Sequence, residues 1–418
     1  MKPYHTMLRQ LRTQSARPKQ SFSKVTFTTQ PARWYSLSAE SALHPTIPKI
    51  DVSKLTVEKN TNPIPLPPHN ELVFGHVFTD HMLSVEWNEE TGWLSPRITP
   101  YQKLQIDPAA CVLHYASECF EGMKAYRDSS NRIRLFRPTM NMARMNRSTA
   151  RIALPAFESA QMIELISKLV MLDAHTIPDA KGYSLYLRPT MIGTHKTLGV
   201  GKPKSALFYV IACPVGPYYP TGFKAISLEA TSYAVRAWPG GAGNRKLGAN
   251  YAPCIVPQME AAKRGFHQNL WLFGEDEYIT EAGTMNLFVV LKDKKTGQKE
   301  LCTAPLDGTI LEGITRDSIL SLAREKLAPN GWNISERKVA MRELHEASKE
   351  GRLLEVFGSG TAAVVCPVRT IGWREHIVEC GLKKDQEAGE VASNMLKWIN
   401  ARQYGEEEHE WSYIIPGQ

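Results

Sequence analysis

The run Pro214-Val215-Gly216-Pro217-Tyr218-Tyr219-Pro220-Thr221-Gly222 limits the architecture more than any other stretch of the sequence. Proline fixes φ and lacks a donor N–H, glycine withholds a side chain, and no regular element continues through so dense a cluster of the two. The run lies near the middle of 418 residues, a length that favours two domains over one. It is read as an interdomain loop over 215–222, dividing a smaller block at 71–214 from a larger one at 223–418.

In the first block Met162, Leu165, Ile166, Leu169 and Val170 recur at helical spacing, which predicts a helix over 158–174 with one buried face. Strand-like runs occupy 184–192 and 207–213. The second block alternates strand-like runs at 225–229, 269–273 and 285–291 with helical ones at 251–263, 315–326 and 387–401. The fold class that follows is mixed α/β, a small N-terminal α/β domain and a larger C-terminal one. Upstream, Pro63, Pro65, Pro67 and Pro68 punctuate an extended lead-in over 36–70, and packed order is expected from about Leu72.

Composition removes several classes of function. Of the net charge of +8, seven units belong to Lys2, Arg9, Arg12, Arg17, Lys19, Lys24 and Arg33, all ahead of the first acid, Glu40, so the rest of the chain carries only +1. A nucleic-acid groove needs its charge in the folded body, and none is expected here. No window approaches eighteen consecutive apolar residues, so no membrane span is expected. The acid-free opening, rich in Arg, Ser, Thr and Gln and without an apolar core, reads as a mitochondrial transit peptide over 1–35 ending near Arg33-Trp34-Tyr35-Ser36; a tail with no targeting role is the alternative. Seven scattered cysteines without a CxxC or Cys/His cluster fit reduced thiols in the mitochondrial matrix, with no metal site.

A lysine on its own is usually a solvated surface charge, but Lys246 lies between Gly240-Gly241-Ala242-Gly243-Asn244 and Gly248-Ala249-Asn250-Tyr251. Small neighbours let the backbone bring the amine against a bulky flat ligand, the crowded setting a Schiff-base lysine needs. A pyridoxal cofactor would further require an acid at its ring nitrogen, an anion site for its phosphate and a hydroxyl near its ring oxygen. Glu281 stands at the end of a strand in Thr280-Glu281-Ala282-Gly283-Thr284-Met285-Asn286, where an exposed turn acid is the alternative. Thr315, in Leu311-Glu312-Gly313-Ile314-Thr315-Arg316, opens a helix whose N-terminus suits phosphate, although capping explains the threonine equally well. The run Phe357-Gly358-Ser359-Gly360-Thr361-Ala362 offers N–H groups and hydroxyls to an anion, or is a hairpin turn.

Together with Phe74-Gly75, Leu113-His114-Tyr115, Phe120-Glu121-Gly122-Met123-Lys124-Ala125, the stretch 141–147 and Tyr186-Leu187-Arg188-Pro189, these segments resemble the branched-chain aminotransferases of the fold-type IV pyridoxal enzymes, over roughly 71–413. The resemblance implies pyridoxal 5'-phosphate as cofactor, with Lys246 as its covalent lysine and proton shuttle. It places Glu281 at the ring nitrogen and Tyr251 at the ring oxygen, and gives the phosphate to Arg144, Ile314, Thr315 and Thr361. It puts Phe74, Tyr115, Phe120, Tyr186, Tyr218 and Thr284 around an apolar pocket, and the Thr361-Ala362 turn at the α-carboxylate. Tyr186 and Arg188 would admit the second carboxylate of 2-oxoglutarate; without the resemblance Arg188 reads as a structural ion-pair partner. The implied substrates are leucine, isoleucine, valine and their 2-oxo acids, and the implied assembly is a homodimer whose Leu198-Gly199-Val200 loop reaches across. One departure is that Ala363-Val364-Val365-Cys366 stands where mammalian members carry a redox-active CxxC, which excludes thiol switching by that pair. Lys246 and Glu281 alone would equally suit D-amino acid aminotransferases and aminodeoxychorismate lyases, or a non-catalytic relative that keeps the fold.

Overall fold

The computed structural model describes residues 49–63, 65–216 and 223–417. The expected transit peptide over 1–35, most of the loop at 215–222 and Tyr218 lie outside them.

The strands form two sheets. In the first, the central pair is Ser184–Gly193 against Ser205–Val215, antiparallel along its whole length, where runs at 184–192 and 207–213 are expected. His81–Asn88 and Arg97–Pro100 extend it on one side, Met123–Arg127 and Ile133–Phe136 on the other. The helices Pro138–Arg151 and Ser159–Leu172 cover this sheet. The second realises the periodicity at 158–174, for Met162, Leu165, Ile166, Leu169 and Val170 all enter the same core as Leu83, Leu187 and Phe208.

The second sheet runs from Tyr278–Ala282 through Gln268–Phe273, Ile226–Thr231, Val364–Trp373, Leu353–Gly360 and Met285–Lys292 to Lys299–Thr303 and Asn333–Glu336. Its two faces feed separate cores, one around Leu270, Leu287 and Val368, the other around Phe288, Phe357 and the helices Ile314–Lys326 and Glu390–Gln403. A strand buried on both faces cannot alternate apolar with polar, and Met285–Lys292 accordingly buries seven successive residues.

Three features depart from the expectations. The lead-in is tied down: Ile50 is buried in the first core, Thr56–Val57 pairs with Arg97–Pro100, and the Asn60 N–H donates to His81 Nε2 at 2.8 Å. Helix is expected from 251 but begins at Ile255, after two short 3-10 turns at Gly248–Asn250 and Ala252–Cys254. Pro257 explains the delay, since its missing N–H and its ring are tolerated only in a first turn. Finally, the C-terminal strand Ser412–Ile414 leaves the second block and pairs antiparallel with Ile133–Phe136 in the first sheet.

Candidate active site

Lys246 follows a glycine-rich loop and is gripped by its backbone from both sides. Its N–H donates to Ser148 Oγ at 3.0 Å, and its carbonyl accepts from the Phe120 N–H at 3.1 Å. Two residues later Gly248 passes so close to Glu118 that a Cβ would meet Oε2 at 1.9 Å, so a larger residue would push that carboxylate aside. Fixed in this way, the ammonium donates to Tyr251 Oη at 3.0 Å and lies 4.7 Å from the Phe120 ring centroid.

The amine opens into a cavity of about 440 Å³. Of the expected residues, Phe74, Phe120, Tyr186, Arg188, Lys246, Tyr251, Thr284, Thr361 and Ala362 line it. Phe74 meets Tyr186 edge to face at 4.9 Å between centroids, making a firm apolar wall. Arg188 makes no ion pair among the described residues; its Nη2 donates to Tyr186 Oη at 3.1 Å and its guanidinium lies 4.6 Å over the Phe120 ring. The alternative of a structural ion-pair arginine therefore fails, because the available partners are aromatic faces and a hydroxyl.

The expected residues Glu281, Arg144, Ile314 and Thr315 do not line the cavity. Glu281 is buried, and its carboxylate accepts from Arg236 Nη2 at 2.5 Å, the Leu311 N–H at 3.0 Å and Asn286 Nδ2 at 3.0 Å. Burial pushes this carboxyl up, and the Arg236 guanidinium pulls it back. An exposed turn acid, the other reading of Glu281, is excluded by that burial. Arg144 grips Glu121 with two contacts of 2.7 Å and donates from Nη1 to the Glu312 carbonyl at 3.0 Å. Burial opposes its charge, yet Glu121 outweighs that and holds the guanidinium above its ordinary range. Glu312 immediately precedes the N-cap, Gly313, of the helix Ile314–Lys326, so Arg144 reaches the start of that helix. No side chain caps this helix, which removes capping as the reason for Thr315. A Cβ on Gly313 would stand 2.0 Å from Asn286 Oδ1, so a larger residue there would displace the amide that donates to Glu281.

Tyr115 departs from expectation. It does not line the cavity but lies half-exposed, with its hydroxyl donating to the Leu198 carbonyl, beside the exposed Leu113, Leu198 and Val200. The reason is local: it ends the short helix Cys111–Tyr115, followed by Ala116 in a left-handed conformation that turns the chain away.

Sequence reasoning misses Arg236, Ser148 and Gln268, the last a residue of the cavity lining. Arg236 is nearly buried and its Nη2 also bonds the carbonyls of Gly243 and Thr309 at 3.1 and 3.2 Å, so it joins Glu281 to the loop before Lys246. Nothing in Ala234-Val235-Arg236-Ala237 distinguishes it from a surface arginine. Ser148 lies in the helix Pro138–Arg151, where its burial is signalled only by the apolar spacing of Met142 and Met145.

A pyridoxal phosphate fits these residues. An amine and a phenol face the cavity, Glu281 offers a buried carboxylate fixed by three donors, an uncapped helix start lies beside a buried arginine, and the buried Ser359 Oγ, in register opposite Asn286, has no partner among the described residues.

Residues 118–371 match the model of the amino-transferase class IV family. The chain is 58% identical over 367 residues to the mitochondrial branched-chain-amino-acid aminotransferase of Saccharomyces cerevisiae, covering 88% of this chain and 93% of that protein. It is 57% identical over 371 residues to the cytosolic one of the same yeast, covering 88% and 99%. Among solved structures, the branched-chain amino acid aminotransferase from Thermobaculum terrenum in its pyridoxal-phosphate form matches at a TM-score of 0.62 and 21% identity, over 81% of this chain and 99% of that one, a likeness of fold.

Proposed function

Since the chain belongs to the class IV aminotransferases and, within them, to the branched-chain-amino-acid aminotransferases, we propose that its cavity carries out reversible amino transfer between L-leucine, L-isoleucine or L-valine and 2-oxoglutarate, with Lys246 as the catalytic base. The observation that carries this reading is the Lys246 amine, held 3.0 Å from Tyr251 Oη in a cavity walled by Phe74, Phe120 and Tyr186.

Pyridoxal 5'-phosphate, when bound, supplies a sink for the electrons released at the substrate Cα. Arg144, the N–H groups of Ile314 and Thr315, and Thr361 would hold its phosphate, Glu281 would pair with its ring nitrogen and Tyr251 would bond its ring oxygen. The Lys246 amine takes the Cα proton and returns one, moving it over a short path because Ser148 and Phe120 fix its backbone. Thr284, Phe74, Phe120 and Tyr186 enclose a branched aliphatic side chain, and the apolar wall excludes water from it. The α-carboxylate meets the Thr361-Ala362 turn. For 2-oxoglutarate, the paired Arg188 and Tyr186 side chains donate to the second carboxylate. A ping-pong exchange follows, yielding the branched 2-oxo acid and then L-glutamate.

The active assembly is a homodimer. Its support is the exposed apolar group Leu113, Tyr115, Leu198 and Val200, which lies outside the chain's own cavity and which a second copy would take out of water. The site of action is the mitochondrial matrix, supported by the acid-free basic opening and by the mitochondrial relative.

The test is glutamate formation from L-leucine and 2-oxoglutarate by protein beginning at Ser36 with added cofactor. Turnover that disappears in Lys246→Ala is expected. A protein that binds cofactor yet turns over neither leucine, isoleucine nor valine overturns the substrate assignment.

A further inference from the structure

The turn 361–363 joins the strands Leu353–Gly360 and Val364–Trp373, closing at the Gly360 and Val364 pair. Where a hairpin loop leads into a left-handed residue, that post is normally given to glycine. Here Val364 takes it, with φ of 61°. A β-branched side chain in that conformation is strained, and it persists only where the surroundings hold it.

One such restraint reaches over from the first sheet. Lys124, on the strand Met123–Arg127, is only 6% exposed, and its ammonium donates to the Ala362 carbonyl at 2.8 Å. Among the described residues it pairs with no carboxylate, and burial brings its ammonium down to about 8. A buried cation without a counter-ion is costly, and Tyr126, two residues on and on the same face of the strand, fills its place with an uncharged ring at no such cost. Ala362 is the wall between two cavities: that of Lys246 on one side, and on the other a smaller one of about 180 Å³ that Lys124 lines. Because a trans peptide points its N–H opposite to its carbonyl, the Ala363 N–H faces away from Lys124, and it donates to no protein group among the described residues.

We infer that Lys124 is a positioning residue for substrate: by binding the Ala362 carbonyl from behind, it locks the strained 361–363 turn, polarises the peptide that ends in the Ala363 N–H, and adds positive potential where the α-carboxylate binds. This rests on the reading of the turn as the carboxylate site. It gives Lys124 control over affinity for every substrate, since amino acids and 2-oxo acids share that carboxylate, and little control over the proton transfer at Lys246.

The probe is 4-methylvalerate, a leucine-shaped carboxylate that lacks the amino group and cannot react, titrated into cofactor-loaded enzyme beside the neutral 4-methylvaleramide. Lys124→Met is expected to weaken the carboxylate about tenfold or more, as the loss of a charge-assisted hydrogen bond does, and to leave the amide unchanged. KM for leucine and for 2-oxoglutarate should rise together and by more than kcat falls. Lys124→Arg should restore most of the affinity. Should the methionine variant not fold, Lys124→Gln, which keeps a donor and loses the charge, takes its place and must weaken the carboxylate selectively. Thr361→Ala separates the two layers. If it weakens 4-methylvalerate while the Lys124 variants bind as the parent does, the inference fails and the carboxylate turn stands; if neither position matters, the turn is not the carboxylate site and both fail.

Discussion

Glu281 is a carboxylate in surroundings that favour its neutral form, and the groups opposing that preference decide what it can do. Burial pushes its proton affinity up, whereas Arg236 at 2.5 Å and the donors on Leu311 and Asn286 favour the charged form. Only a charged carboxylate keeps a neighbouring ring nitrogen protonated, so in the role proposed for Glu281, Arg236 would act on the chemistry through it. Arg236→Met leaves a buried charge without its counter-ion and should cost about 3–5 kcal/mol of stability, read from urea unfolding of the cofactor-free protein. Glu281→Gln should lower kcat by about a hundredfold or more with less loss of stability. In the double variant the two stability losses should fall well short of additive; full additivity would mean that the pair is not coupled. Lys246 and Glu281 are legible in the sequence because each is marked locally, one by flanking glycines and the other by a strand end. Arg236 carries no such mark: its significance comes wholly from Glu281, forty-five positions away, and from the carbonyls of Gly243 and Thr309. Lys124 lies inside a segment that is legible as a motif, yet its burial depends on contact with Ala362 in the other sheet.

At the level of elements, periodicity identifies the central strands and the covering helices because each has one dominant partner surface. It says little where a segment is short or tied by a few specific bonds. The strand Ser412–Ile414 has three residues, and its place beside Ile133–Phe136 is secured by what surrounds it. The buried Arg134 guanidinium bonds Asp128 at 2.8 Å, Glu408 at 3.1 Å and Ser412 Oγ at 3.2 Å. Trp411 packs edge to face on Phe136, with Arg137 4.4 Å over its ring and Arg402 4.5 Å over it as well. A C-terminal segment held this way closes the Ile133–Phe136 edge that would otherwise expose unpaired backbone. Trp411→Ala should therefore destabilise by about 3–5 kcal/mol, as emptying a large aromatic site does. Urea midpoints would show it, and a loss under about 1 kcal/mol would mean that Arg134 and its partners hold the strand without the indole.

For the whole molecule, the decisive quantity is the apolar surface that the single chain leaves in water. Leu198 is 69% and Val200 84% exposed, and the backbone bonds from Cys111 to His195 and from Thr197 to Ala109 stitch their loop to the helix that bears Leu113 and Tyr115. Beyond Tyr251, the helix Ile255–Lys263 turns Ile255, Val256 and Met259 outward at helical spacing. Scattered exposed apolar residues are ordinary, but apolar groups gathered on one loop and one helix face are what a second copy would cover in the proposed homodimer. A second copy would have to bury about 1,200–2,000 Å² in total to make a lasting interface. Val200→Asp combined with Val256→Asp places charges inside it, and their desolvation should shift the protein, by sedimentation velocity, from twice the mass of its chain to the mass of one. Activity separates two roles for that surface. If Tyr115 and the Leu198 loop complete a neighbour's cavity, the dissociated chain loses most of its leucine turnover although Lys246 and its own cavity are untouched. If the monomer instead turns over leucine as well as the parent does, the surface serves assembly alone and each chain's cavity is complete without its neighbour.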